Sequence, residues 1–434
     1  MSTPQLVAFD GRPRLIGNWL ATSRTARLAE HMAVHGPLPL GSVHRVIDMA
    51  GAAGLRGRGG AWFPTGRKLS TVARNGKAAG GCHVVVNGAE SEPAAGKDKL
   101  LLRATPHLVL DGAELAALAI GARKVTVCVH RGTGLAEHLR GVIAEREAAR
   151  WGGRAAGLTV DVKEPPRWYV SSESTALANF VGGGEGKPRD VSAYREGVGG
   201  KPTLVSNTET LAHLGLIARH GPGWFRTAGT AEAPGTALFT VSGTVRARGV
   251  YELPVGVTGN EILRVAGGPT EPLQALLLGG YGGAWVPPNT LGLPFTPEAL
   301  GPQGASPGAG VVVALPMGAC GLVESVRIAA WLASQNARQC GPCFNGLPAI
   351  ADDLARLTWR RDRLALDRLR LRMRMVDGRG ACAHPDGVVK LAASALRVFG
   401  GCVQRHLSGQ GCPGLYRPPM LPLPTPPSPS EGWR

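Results

Sequence analysis

Two stretches of this 434-residue chain carry residue types in patterns that support chemistry. The first, GLRGRGGAWFPTGRK from Gly54 to Lys68, interleaves glycines with the cations Arg56, Arg58, Arg67 and Lys68. Glycine lets backbone N–H groups approach an anion closely and the cations balance its charge, so the stretch reads as a phosphate-binding loop. Arg- and Gly-rich surface loops share such patterns, and the stretch alone does not decide between the two. The second feature is a set of thiols: Cys340 and Cys343 in CGPC, and Cys382 in GRGACAHPDG. A local pair with a distant third is a partial ligand set for an iron-sulfur cluster or another soft metal. Zinc with His384 as fourth ligand is the competing reading on spacing alone. A thioredoxin-like pair is disfavoured, since that motif opens a helix after a strand and this one lies in a helical region.

Composition narrows the classes. The chain carries 48 Lys and Arg against 31 Asp and Glu, a formal charge of +17, with 44% hydrophobic residues. That suits a soluble protein of several domains with an acidic partner. No nucleic-acid motif or basic-aromatic stripe accompanies the charge, so nucleic acid is disfavoured. The apolar runs are too short or too interrupted to span a bilayer, and Met1 to Arg27 lacks the apolar core of a signal peptide. Eight cysteines in such a chain suggest metal or reactive thiols rather than a disulfide framework. The expected location is cytoplasmic, with any membrane association made through partners.

The elements that must position these residues alternate. Ser42 is a plausible cap for a helix from Val43 to Met49 leading into the glycine loop. HVVVN (His83 to Asn87), KVTVCVH (Lys124 to His130) and Leu158 to Val162 read as strands, with helical spacing over Leu108 to Gly121 and Gly134 to Trp151. This order predicts an α/β layer with a parallel sheet. The turn GAESEP and a second glycine loop, GGGEGKPR at Gly182 to Arg189, are placed to line one crevice with the first loop. From Thr236 to about Pro316 short β runs separated by glycine turns suggest a small β-rich domain, with a helix near Asn260 to Val265. From Val323 the pattern is helical, and Ala351 to Met375 reads as one arginine-rich amphipathic helix whose basic face is by default solvated. The Pro-rich stretch from Pro413 is expected to be extended or disordered.

From about Asp48 to His406 the chain resembles the flavin-containing, NADH-oxidising F subunit of respiratory complex I and the related diaphorase subunits of NAD-linked hydrogenases and formate dehydrogenases. GLRGRGGAWFPTGRK resembles the family's FMN loop, NGAESEP with KDK and PH its second flavin motif, and YVSSESTAL its acidic nucleotide motif. KPTLVSNTET, the insert Leu238 to Val313 and the cysteine region follow in the family's order. The resemblance implies an FMN-binding α/β domain (48–235) after an N-terminal extension (1–47). It further implies a β-grasp-like domain of SLBB type (236–318), a C-terminal α-helical iron-sulfur bundle (319–412) and a Pro-rich tail (413–434). It also implies that Gly57, Arg58, Gly59, Gly60, Lys68, Asn87, Glu90, Glu173, Asn207 and Thr210 contact FMN, with Lys68 at the phosphate and Glu90 and Glu173 at the reacting ring. Phe63, Glu92 and Tyr194 would meet NADH, and Cys340, Cys343 and Cys382 would ligate a cluster.

Departures from the family pattern are specific. Ala337 stands where the first cluster cysteine belongs, which leaves three thiolates for a four-iron cluster with another ligand on its fourth iron, a three-iron cluster or no cluster. Glu173-Ser174 replaces two adjacent acids, Ala89 an acid, Trp62 a glycine, and Leu69 and Thr71 two aromatics. Val191 replaces a basic residue, and Tyr194 stands for an aromatic in a shortened segment. The implied function is NADH oxidation through FMN and an iron-sulfur cluster, delivering electrons to an acidic partner such as a ferredoxin, to other subunits of a complex, or to quinone. The alternatives are an electron-transfer subunit that no longer oxidises NADH and a non-catalytic assembly subunit.

Overall fold

The structure, a computed structural model, describes residues 13–151, 157–412 and 414–434. It begins with two short helices, α1 (Gly17–Thr22) and α2 (Leu28–His35). The helix expected from Val43 starts later: Leu40–Arg45 is a tight 3-10 turn with no side-chain cap, and α3 is Val46–Ala52. Pro37 and Pro39 hold the preceding chain out of helical geometry.

The chain then alternates as expected through α4 (Thr65–Ala78), β1 (His83–Asn87), α5 (Lys97–Ala104), α6 (Pro106–Ile120), β2 (Lys124–Cys128), α7 (Leu135–Ala148), β3 (Thr159–Lys163), α8 (Ser174–Val181), β4 (Thr203–Asn207) and α9 (Thr208–Phe225). The four strands form one parallel sheet in the order β3-β2-β1-β4. β1 is buried along nearly its whole length, which is why its sequence is a continuous apolar run rather than an alternating one. Pro106 at the first turn and Gly121 in the left-handed conformation set the ends of α6, which is buried on almost every face. The strand order places β1 and β2 on one path and returns β4 to the other side of β1. The crevice between the carboxyl ends of β1 and β4 is therefore the switch point of the sheet, where open α/β sheets receive ligands.

A five-stranded mixed sheet follows, from β5 (Thr236–Gly243), β6 (Gly249–Pro254), α10 (Gly259–Val265), β7 (Leu273–Leu278), β8 (Ala284–Val286), α11 (Pro297–Leu300) and β9 (Val311–Pro316), in the order β6-β5-β9-β7-β8. Its central pair β5 and β9 is parallel and the outer pairs are antiparallel, a β-grasp-like arrangement. Thr258 and Glu261 close a reciprocal capping box at the start of α10.

The helical bundle comprises α12 (Gly321–Ser334), α13 (Leu347–Trp359), α14 (Arg363–Val376), α15 (His384–Val398) and α16 (Gly400–Ser408). The single helix expected over Ala351 to Met375 is instead a hairpin. Arg361 takes a left-handed φ of 56°, and Asp362 caps α14 by accepting from Ala365 N–H at 3.2 Å. Its arginines are not all solvated either: Arg368 and Arg372 converge from α14 on the buried carboxylate of Asp353 in α13, at 3.1 and 2.5 Å.

Residues 414–434 are extended as expected, but they are packed rather than disordered. Tyr281 and Trp331 donate to the carbonyls of Pro422 and Pro424, Glu431 accepts from Arg167 N–H at 2.9 Å, and Trp433 stacks on Trp168. Proline removes the backbone donors that such a strap would otherwise leave unpaired, and its carbonyls accept from the buried aromatics. Among the described residues no helix is long and apolar enough to cross a membrane.

One close approach fixes how α6 meets α9. A Cβ added to Gly112 would lie 1.7 Å from the carbonyl oxygen of Leu211, backbone that cannot yield without separating the helices. Gly112→Ala is expected to destabilise the protein by about 3 kcal/mol or more, the upper range for overpacking. Chemical unfolding of the variant beside the parent checks this, and an unchanged midpoint would contradict the packing described.

Candidate functional site

A cleft of about 390 Å³ opens at the carboxyl ends of β1 and β4. Its floor is the switch point: Asn87 and Asn207 end the two strands in register with each other. Gly59 and Gly60 form one wall, the turn from Ala89 to Glu92 another, and Tyr169 to Glu173 a third. The β-rich insert contributes Gly279, Gly282, Gly283 and Gly308, and the bundle contributes Cys382, His384 and Lys390. All three layers thus meet at one cavity, whose size falls within the range of small-molecule sites.

The side chains are held by local chemistry. Asn207 caps α9 by accepting from Glu209 N–H at 3.0 Å, while its amide donates to Asp98 at 2.8 Å. Lys97 is fully buried and donates to Asp98 at 3.0 Å and Glu209 at 2.8 Å. Burial opposes its charge, yet the two carboxylates hold its pKa above the ordinary lysine value. Glu209 also accepts from Leu238 N–H at 2.9 Å, which fixes the mixed sheet to α9. The Asn87 amide donates to the Ser172 carbonyl at 2.9 Å. Glu173 caps α8, accepting from the N–H groups of Thr175 and Ala176 at 2.8 and 3.1 Å and from the hydroxyls of Ser174 and Thr175. Ser174, which replaces an acid of the family pattern, thereby serves its neighbour.

Of the residues singled out in the sequence, the cleft wall includes Arg58, Gly59, Gly60, Asn87, Glu90, Glu92, Glu173, Asn207 and Cys382. Arg58 lines it without aiming its cation there. Its guanidinium is buried, stacks 4.5 Å from the Trp62 ring centroid and donates to the Thr236 carbonyl at 3.1 Å, and burial lowers its pKa to about 10. Thr210 lies behind the loop, accepting from Arg58 N–H at 2.8 Å. Gly57 is not part of the wall, and Phe63 and Tyr194 stand partly exposed outside it with Arg67 and Arg195 over their rings. Lys68 also stands outside the wall: its ammonium donates to the Val205 carbonyl of β4, and burial lowers its pKa to about 8, with the Glu173 charge acting the other way. The second glycine loop does not reach the crevice but binds the carboxyl-terminal strap, through Gly186 N–H to the Trp433 carbonyl and Lys187 over the Trp433 ring. Sequence reasoning passed over Lys97, Asp98, Glu209 and Tyr169 as individual residues, although the motifs KDK, NTET and YVSSES contain them.

Six of the eight thiols form two separate groups, while Cys82 and Cys128 are buried at the parallel sheet. Cys340 lies in a bend, Cys343 in a turn of π-helix at Pro342–Gly346, and Cys382 in the loop before α15. Burial first, and then the neighbouring Cys340, push the Cys343 pKa up. Cys382 is shared with the cleft wall. His384 is not free to complete a zinc site through Nε2, which donates to the Leu332 carbonyl at 3.0 Å, and burial lowers its pKa to about 4. Cys402 does not supply the ligand lacking at Ala337, because it is committed to the second group with Cys320, His406 and Cys412.

Residues 51–215 match the Nuo51 FMN-binding domain, and residues 325–406 match the NADH-ubiquinone oxidoreductase-F iron-sulfur binding region. The F subunit of NADH-quinone oxidoreductase in Mycobacterium tuberculosis is 33% identical over 390 residues, 87% of each chain. The chain belongs to this family of NADH-quinone oxidoreductase F subunits. Its relative in Streptomyces coelicolor is 31% identical over 374 residues, covering 83% of this chain and 82% of the other. A crystal structure of the NAD+-reducing NiFe hydrogenase in the H2-reduced state superposes with a TM-score of 0.82 at 27% identity, over 94% of this chain and 68% of that one.

The residues at the cleft fit a flavin nucleotide. Gly59 lies where a Cβ would be 3.3 Å from Asn207 Cβ, so the glycine keeps loop and strand end close enough to frame a flat ring. The amides and carboxylates of the wall suit the hydroxyls and ring N–H groups of such a ligand.

Glu92 is the site's pH-sensitive joint. It accepts from Tyr281 N–H at 2.9 Å, Ala94 N–H at 3.2 Å and Tyr169 O–H at 3.2 Å, and burial raises its pKa from 4.5 to about 7. A carboxyl whose folded pKa is raised contributes stability below its unfolded pKa and loses it as pH rises through the folded one. Glu92→Gln is therefore expected to gain stability relative to the parent as pH rises from about 4.5 to 7, by about 3 kcal/mol in total. Urea unfolding across that interval measures it, and a difference independent of pH would refute the assignment.

Proposed function

We propose that this chain oxidises NADH in the cleft and passes electrons to the Cys340, Cys343 and Cys382 centre and on to a partner subunit. The observation that carries this is the shared wall: Cys382 belongs both to the thiol group and to the cleft at the switch point. Cys382 thereby brings the thiol group to the edge of the cleft. When bound, FMN supplies the conversion of a two-electron hydride transfer into single-electron steps, and an iron-sulfur cluster supplies the single-electron carrier. The protein's part is positioning. In this reading Asn87 and Asn207 orient the ribityl and ring polar groups from the strand ends, Gly59 and Gly60 admit the ring, and Lys68 turns from the Val205 carbonyl to the phosphate. Glu90 and Glu173 set the polarity beside the ring, and Glu92 faces the nicotinamide nucleotide. Phe63 and Tyr194 would take part as flanking aromatics on the approach. The α/β layer at 48–235 holds the nucleotides, the insert at 236–318 closes the cleft, and the bundle at 319–412 holds the cluster.

Relatives in this family are named as subunits of larger oxidoreductases, and an acidic ferredoxin-like or subunit partner suits the net positive charge. Membrane contact would come through such partners.

The deciding measurement is the visible spectrum of anaerobically purified protein before and after NADH. Flavin absorbance that bleaches on addition supports the proposal; flavin without bleaching points to another electron donor; neither flavin nor iron overturns the redox reading. Lys68→Ala is expected to weaken FMN binding about 5- to 150-fold, about 1–3 kcal/mol, by equilibrium dialysis. Retention equal to the parent would remove Lys68 from the phosphate. Ala337→Cys is expected to slow iron loss in air, followed by iron content and electron paramagnetic resonance, because it restores the fourth thiolate.

A further inference from the structure

Three cysteines and one histidine outside the cleft converge in a way the redox function does not use. Cys320 precedes α12, Cys402 and His406 lie one turn apart on α16, and Cys412 follows that helix. All four are buried, and their ligand atoms lie within 4.8 Å of one another. Cys320 Sγ is 3.5 Å from Cys402 Sγ and 3.3 Å from His406 Nε2, and Cys402 Sγ is 3.2 Å from Cys412 Sγ.

A zinc ion with Zn–S of about 2.3 Å and Zn–N of about 2.0–2.1 Å holds its ligands at the corners of a tetrahedron with edges of about 3.5–3.8 Å. The Cys320–Cys402 and Cys320–His406 edges lie within about 0.3 Å of that figure, and the Cys402–Cys412 edge is about 0.6 Å short of it, so binding the ion would spread that pair slightly. The imidazole is already in the required tautomer: His406 Nδ1 is 2.7 Å from the Thr358 carbonyl and donates to it, which leaves the Nε2 lone pair facing the thiols. The chain also turns to deliver the fourth ligand. Gly409 and Gly411 take left-handed φ values of 76° and 72°, reversing the path after α16. Gly414 then packs so closely on Cys320 that a Cβ there would lie 2.3 Å from the Cys320 backbone nitrogen.

We propose that Cys320, Cys402, His406 and Cys412 bind one structural zinc ion that fastens the first helix of the bundle to the last. The ligand atoms are too close together for a multi-iron cluster, in which each ligand reaches a different iron, and their complete burial leaves no open coordination position for catalysis. Packing of free thiols as small hydrophobes explains their burial but not the orientation of His406. A disulfide between Cys402 and Cys412 is the other chemistry the distances permit, and it would strand Cys320 and His406. The proposal is independent of the flavin assignment, since it involves neither the cleft nor the Cys340 group.

The test uses the full chain purified anaerobically from zinc-supplemented cells. Elemental analysis is expected to give one zinc per chain, and X-ray absorption at the zinc edge a shell of three sulfurs and one nitrogen. Replacing Cys340, Cys343 and Cys382 together with Ser is expected to remove iron and leave zinc in place. Cys412→Ser is expected to lose zinc, and Cys412→His to retain it with two sulfurs and two nitrogens. The proposal is overturned by a parent chain that takes up no zinc when incubated with it, by zinc that departs with the Cys340 group, or by a Cys402–Cys412 disulfide in alkylated protein. Should Cys412→Ser fail to fold, the ligand shell of the parent decides the matter alone.

Discussion

The buried carboxylate of Glu209 is the point on which the rest of the cleft depends. One oxygen takes the Lys97 ammonium, and the other takes Leu238 N–H and lies 3.8 Å from the Arg58 guanidinium. Through these contacts the glycine loop, the helix after the acidic turn, the end of β4 and the first strand of the mixed sheet share one charge. Burying a carboxylate without partners would cost several kcal/mol, so removal of any one of these contacts leaves a buried polar group less well satisfied. The polar floor of the cleft is therefore set by interactions that face away from it. Asn207 is fixed at the strand end because its own amide is engaged on both sides, by Asp98 and by the start of α9.

Much of this was legible in the sequence, for physical reasons that differ from place to place. β1 could be read to the residue because a doubly covered parallel strand must be continuously apolar and its end falls at a polar amide. The motifs could be ordered because each contains residue types whose use is local: glycine for close approach, an acid or amide to cap a helix. Three things were not legible. The break in the arginine helix rests on the left-handed Arg361, which no period announces. The placement of Lys68, Phe63 and Tyr194 outside the wall depends on which way α4 and the loop at 190–202 turn, a tertiary matter. The grouping of Cys320 with residues 82 to 92 positions later depends on two bundle ends meeting, and spacing along the chain carries no trace of it.

Trp62 shows how a departure from a family pattern can be absorbed. It occupies a position where the family carries glycine, and its φ of 52° is the conformation glycine favours. The strain is offset by anchorage: the ring is 5% exposed, carries the Arg58 guanidinium on one face and donates to the Gly308 carbonyl at 2.9 Å. Where glycine would leave the loop untethered, the indole ties it to the insert at Gly308.

The strap at 414–434 has a consequence for the order of biosynthesis. It braces the segment carrying Tyr169 to Glu173 from outside, through Trp168 and Arg167, and also clasps the second glycine loop. Every residue of the cleft wall is translated before the strap that steadies it. The stacking and hydrogen bonds that brace this wall from outside therefore become available later in synthesis than the contacts within the wall itself.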